Sequence, residues 1–189
     1  MLIRHADPGR DAAACAAIYA PYVTDSVASL ELDAPSDAEF AKRMEAIALT
    51  HPFLVAVTDD GEEVGPVAGF AYAAPHHERA GYRWCADVSV YVDRRHHRRG
   101  VGRQLYEALF GLLRRQGLWT ACAGIGLPND ASMGLHRACG FEPVGVYRRV
   151  AHKHGAWQDV AWLQLELRPE QDFAARADPP EPGPPARLD

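Results

Sequence analysis

Five arginines fall within ten residues of this chain, RRHHRRGVGR at positions 94–103, although the whole sequence carries a net charge of −5. Gly100 and Gly102 lie inside that stretch, and a helical apolar stripe follows at Leu105, Ala108, Leu109, Leu112 and Leu113. Glycines at a strand-to-helix junction let backbone N–H groups come close to an anion, and a helix start adds partial positive charge. Flanking guanidiniums complete a site suited to a pyrophosphate. A solvated basic turn is the simpler alternative. The stretch is not a P-loop, because no lysine follows its glycines. It is not a dinucleotide fingerprint either, because Leu105 stands where a third glycine is needed.

The remaining metal-type and thiol residues carry less. His76-His77 and His96-His97 are adjacent pairs, whose side chains oppose on a strand and rarely converge on a loop. His152 and His154 share a strand face without a third ligand near them, so no metal is expected. Cys15, Cys85, Cys122 and Cys139 form no C-x-x-C pair and read as separate buried thiols of a reducing compartment. Trp157, Trp162 and Asp159 read most simply as core and hairpin residues.

The elements that position the basic stretch follow from periodicity and punctuation. LIRHA is a first strand, and DAAACAAIYAPYV is a helix closing near Pro21. Ser36 opens a second helix with the capping box S-D-A-E, followed by Phe40, Met44 and Ile47. FLVAV and VAGFAYAA are strands joined by a turn around Asp60-Gly61, and WCADVSVYV is a third long strand. The helix after the glycines ends at Gly117; WTACAGIG is a strand, NDASMGLHRAC a short helix, and the segments 141–152 and 157–167 a closing hairpin. This mixture implies an α+β or mixed α/β sheet with helices on both faces.

The chain has 189 residues, 48% of them hydrophobic and 24% charged, which suits one domain with a real core and argues against disorder throughout. The acidic balance argues against a general nucleic-acid binder. No apolar run is long enough for a membrane span, and the first residues lack a signal-peptide pattern, so a cytoplasmic protein is expected. Residues 168–189 hold six of the fourteen prolines and are expected to form a disordered tail behind a single domain, 1–167.

The strand SVYV, the run R-H-H-R-R-G-V-G and the L-Y that follows resemble the acyl-CoA signature of the GNAT N-acetyltransferases. With GLPNDASMGLHRACGF (126–141) and KHGAWQDV (153–160), the chain is similar to the phosphinothricin N-acetyltransferase subgroup over nearly all of 1–167. The resemblance implies a GNAT fold: a mixed, mostly antiparallel twisted sheet whose splayed strand pair binds acetyl-CoA. It further implies that Val90, Tyr91 and Val92 bind the pantetheine arm, that Arg98, Arg99, Gly100, Val101, Gly102 and Arg103 hold the pyrophosphate, and that Asn129 contacts the pantetheine. One departure is His97, three residues before Gly100, where the signature has Gln or Arg.

Acetylation needs a neutral amine, hence a base, and the leaving thiolate is served by an acid. By resemblance the base is Asp87, where the subgroup usually has Glu; the shorter side chain leaves room for a bridging water. His136 stands where many relatives have a Tyr near the CoA sulfur. Arg79 and Tyr82 match an R-x-x-Y stretch beside the acceptor, and Arg suits bidentate capture of a carboxylate or phosphinate. Glu31 comes from the acceptor side. Each of these has a structural alternative: a capping or salt-bridged Asp87, a packed His136, a surface Glu31. The implied function is acetyl transfer from acetyl-CoA to the α-amine of a small amino acid or analogue, by direct attack, in a homodimer. The alternatives are an acetyltransferase of protein N-termini or of another amine, and a non-catalytic acyl-CoA sensor.

Overall fold

The computed structural model describes residues 1–58, 65–174 and 178–188, and the turn expected at Asp60-Gly61 lies outside them. The elements run β1 (Leu2–His5), α1 (Pro8–Thr24), α2 (Asp37–Ala48), β2 (Phe53–Val57), β3 (Val67–Pro75), β4 (Cys85–Val92), α3 (Val101–Gln116), β5 (Thr120–Gly126), α4 (Asp130–Ala138), β6 (Glu142–Lys153), β7 (Ala156–Glu166) and α5 (Glu170–Phe173). The strands form one sheet in the order β1-β2-β3-β4-β5-β7-β6, antiparallel throughout except for the β4–β5 pair.

Alternation along β2 divides the core. Phe53, Val55 and Val57 pack with Phe70 under α1 and α2, through Tyr19, Phe40 and Met44. Leu54 and Ala56 face the other way, onto the Leu105, Leu109 and Leu113 stripe of α3. Buried on both faces, β2 is apolar at every position.

Local chemistry sets the helix ends. The Ser36 hydroxyl accepts from the Glu39 N–H at 3.3 Å, and the Glu39 carboxylate accepts from the Ser36 N–H at 2.8 Å, closing the expected capping box. Gly117, at φ +98°, takes the left-handed conformation that ends α3. Helix α1 does not close at Pro21; it runs on to Thr24, with Asp25 N–H donating to Pro21 O at 3.1 Å. Proline in a last turn removes one donor, and the helix tolerates that single loss.

The proline-rich tail lies against the body in part. Trp84 Nε1 donates to Pro180 O at 2.8 Å, Gly183 N–H to Gln116 O at 2.7 Å, and Leu188 N–H to His5 Nε2 at 3.1 Å. Arg83 pairs with Glu181. One of these hydrogen bonds uses a proline carbonyl, that of Pro180, and the other two use the N–H groups of Gly183 and Leu188.

Candidate active site

The parallel pair β4–β5 holds register for only three positions, Cys85 with Thr120, Ala86 with Ala121 and Asp87 with Cys122. Beyond Asp87, β4 stays with β3 as far as Val92, while β5 stays with β7 as far as Gly126. The two strands therefore part, and a cavity of about 860 Å³ opens between Val88–Val92 and Ala123–Ile125. That volume lies within the range of small-molecule and cofactor sites. Gly126 sits where a Cβ would come within 2.1 Å of Val27 O, so the loop after α1 rests directly on the end of β5.

The basic stretch closes one end of the wedge. Gly100 caps α3 at φ +79°, a left-handed conformation that favours glycine, and no side chain caps this helix. Arg98, Gly100, Val101, Gly102 and Arg103 line the cavity, as do Val90, Tyr91, Val92 and Asn129. Arg99 is exposed and is not among the lining residues. Arg94 pairs with Asp25, Arg95 with Asp93 and Arg103 with Glu107. Among the described residues Arg98 and Arg99 make no ion pair, which leaves their charge uncommitted.

His97 also lines this end of the cavity, but its ring is bonded within the protein. Its Nε2 lies 2.9 Å from the Tyr22 hydroxyl and 3.1 Å from Val92 O, and Tyr22 itself donates to Val92 O at 2.6 Å. The imidazole thus ties the end of β4 to α1. Asn129 Oδ1 accepts from the Ser132 N–H at 3.1 Å, capping α4 at the cavity wall.

At the closed end of the wedge, Asp87 projects on the face of β4 opposite Val88. His76, one residue past β3, donates from Nδ1 to Asp87 Oδ1 at 2.6 Å. Burial raises the Asp87 carboxyl above its usual range, and the His76 partner opposes that rise. Burial lowers His76, but the Asp87 carboxylate outweighs it and the net direction is upward. The Tyr82 ring lies 5.8 Å from His76 and the Trp162 ring 5.9 Å, with Tyr147 a further 5.8 Å from Trp162. Arg79 precedes the short 3₁₀ turn 80–82, and its N–H donates to His77 Nδ1.

Glu31 is committed elsewhere. Arg43 of α2 grips both its oxygens at 2.6 and 2.9 Å, and the Tyr19 hydroxyl donates to it at 2.8 Å. Arg43 holds its carboxyl below the usual range. Burial raises the pKa of the Tyr72 phenol, and the charges of Glu31 and Asp87 add to the rise. His136 lines the cavity, yet both ring nitrogens are engaged: Nδ1 with Ser132 O at 2.8 Å and Nε2 with the Tyr106 hydroxyl at 2.9 Å. Burial lowers its pKa, which favours the neutral ring.

Sequence spacing does not reveal His76 as a member of the Asp87 site. The extended antiparallel pairing of Pro75 with Ala86 is the signal that brings His76 beside Asp87. Nor does spacing reveal the contact between Cys85 and Cys122, whose sulfurs lie 3.5 Å apart. Trp162, opposite Gly124 on β7, is more than a core and hairpin residue, because the register places its ring beside His76.

Residues 17–141 match the acetyltransferase (GNAT) family model. The phosphinothricin N-acetyltransferase of Streptomyces viridochromogenes is 37% identical over 172 residues, covering 91% of this chain and 87% of that one. The L-methionine sulfoximine/L-methionine sulfone acetyltransferase of Salmonella typhimurium is 34% identical over 168 residues, covering 88% and 95%. A phosphinothricin acetyltransferase from Sinorhizobium meliloti, solved in complex with acetyl-CoA, superposes with a TM-score of 0.81 at 33% identity, covering 87% of each chain. An open mixed sheet with one parting parallel pair, an uncapped helix start at its mouth and these relatives agree: the chain belongs to the GNAT acetyltransferase family and is an N-acetyltransferase.

Proposed function

We propose that the protein transfers the acetyl group of acetyl-CoA to the α-amine of a small amino acid or analogue of the phosphinothricin, methionine sulfone or methionine sulfoximine type. The observation that carries the reading is the wedge between β4 and β5, a cavity with a basic mouth that opens at Val88, directly after Asp87 at the last paired position of the two strands. The thioester arm lies along Val90–Val92 with the pyrophosphate at the start of α3, where uncapped N–H groups, Arg98 and Arg99 meet it. The acceptor approaches from the Asp87 face, and Arg79 receives its carboxylate or phosphinate, with Tyr82 alongside. The acceptors in the names of the relatives support this substrate class.

In the reaction the acceptor ammonium gives a proton to Asp87, directly or through one water. The amine lone pair then attacks the thioester carbonyl carbon, and the carbonyl π electrons move to oxygen. The tetrahedral intermediate gives the second proton of its now cationic nitrogen to solvent, its C=O bond re-forms as the C–S bonding pair passes to sulfur, and CoA leaves as thiolate to be protonated from solvent. No acyl-enzyme is formed. His76 holds the Asp87 carboxylate in position. His136, with both nitrogens spent, positions Tyr106 and α4, and we do not assign it the acid role. Glu31, gripped by Arg43, shapes the acceptor side without touching the amine.

Residues 1–167 form the single acetyltransferase domain, and the protein works as a cytoplasmic homodimer. The exposed Val144, Val146, Tyr147, Val150 and Trp157 of the β6–β7 hairpin support that assembly, since such side chains gain from being covered. Asp87→Asn tests the chemistry. It keeps the size and hydrogen bonding of the side chain but removes its basicity, so kcat/KM falls by about 10²- to 10⁴-fold with CoA affinity unchanged. A change confined to the KM of the amine refutes the base assignment.

A further inference from the structure

We propose that His76, Cys85 and Cys122 form a binding site for a thiophilic divalent cation of the Zn²⁺ type at the closed end of the strand wedge. A ring nitrogen of His76 and the two sulfurs lie within 4.8 Å of one another. The sulfurs are 3.5 Å apart. Two Zn–S bonds of about 2.3 Å at a tetrahedral angle put their sulfurs about 3.8 Å apart, so the thiols already stand near ligand spacing. The donor set, one imidazole and two thiolates, is the one zinc prefers over the hard oxygen sites of magnesium or calcium.

The surroundings fit as well. Asp87 accepts from His76 Nδ1 at 2.6 Å, the carboxylate neighbour that ligating histidines ordinarily have. The three ligands come from three places, the end of β3, the start of β4 and the middle of β5. A cation there bridges Cys85, in the first paired position of β4 with β5, and Cys122, in the last, and so spans the short paired stretch before the strands part. Three protein ligands leave the fourth position to water. On binding, each thiol gives its proton to solvent and its sulfur pair to the cation, so two protons are released per ion. None of the three residues lines the cavity of the wedge, and the proposal does not depend on the acetyl-transfer reading.

The test uses the full chain, reduced and freed of metal, titrated with ZnCl₂ against a chromogenic chelator. The site takes one equivalent of Zn²⁺ and releases two protons, whereas Cys85→Ser and Cys122→Ser each lose the one-to-one complex while keeping their affinity for CoA. Asp87→Asn weakens Zn²⁺ binding by about 10- to 100-fold. Co²⁺ in place of Zn²⁺ gives the thiolate-to-metal charge-transfer band of tetrahedral cobalt, and Zn²⁺ raises the Tm of the wild type but not of the double serine variant. Absence of a one-to-one complex in the wild type, or an equal complex in the Cys85→Ser/Cys122→Ser variant, overturns the proposal.

Discussion

Replacing Gly100 with Asp and, separately, with Asn isolates the charge at the mouth of the cofactor wedge. Gly100 holds φ +79°, and the nearest atom to an added Cβ is Gln104 Nε2 at 3.6 Å, so space is not the obstacle. Backbone strain is the common cost, at most about 1–2 kcal/mol and less for Asn and Asp, which tolerate this conformation best. The two variants share shape and strain and differ by one negative charge facing the pyrophosphate. Two unit charges 4 Å apart interact by about 1 kcal/mol in water and about 4 kcal/mol at a protein surface. Gly100 is exposed, which favours the lower end. A difference of about 1–2 kcal/mol is expected, so Asp binds CoA roughly 5- to 30-fold more weakly than Asn. Titration calorimetry at low ionic strength reads that ratio, and added salt should shrink it. Equal affinity of the two variants at low salt would refute the placement of the pyrophosphate.

Three other outcomes are expected. Gly126→Ala forces Val27 away from β5, because its Cβ would lie 2.1 Å from Val27 O; its Tm falls and its acceptor KM rises, and an unchanged Tm would contradict the packing. Stability falls as pH drops below about 6.5, because burial lowers the pKa of folded His136 while the unfolded chain takes up its proton first near the ordinary value. His51, buried in the same sense, adds to that slope, and thermal melts of His136→Asn should lose part of it; a slope of opposite sign would contradict the neutral, buried assignment. Light scattering at micromolar concentration should give twice the chain mass, and Trp157→Glu with Val146→Glu should shift it to monomer; a monomeric wild type refutes the hairpin interface.

Features set by neighbours in sequence are legible from the residues alone. The Ser36–Glu39 box, the Gly117 stop and the α3 stripe behind RRGVG depend on side chains within a turn of one another, and the fold bears them out. The family resemblance rests on the same local blocks. What spacing hides depends on segments meeting at a distance. Cys85 and Cys122 touch because a parallel register sets them on one face of adjacent strands, and spacing in sequence carries no trace of that. His76 reaches Asp87 only because β3 and β4 pair to their ends. Glu31 reads as a free acceptor-side carboxylate until α2 brings Arg43 against it. His97 reads only as a departure from the signature until α1 brings Tyr22 within reach.

The most direct test of the acetyl-transfer account is acceptor selectivity, measured as acetyl-CoA consumption with each N-acetyl product identified by mass. The panel is phosphinothricin, methionine sulfone, methionine sulfoximine, methionine sulfone amide and a short peptide with a free N-terminus. If Arg79 receives the acceptor's carboxylate, losing that charged contact costs about 1.5–3 kcal/mol, so the free acids exceed the amide and the peptide in kcat/KM by roughly 10- to 150-fold. Preference for the peptide, or thioester loss at the same rate without any amine, contradicts the account.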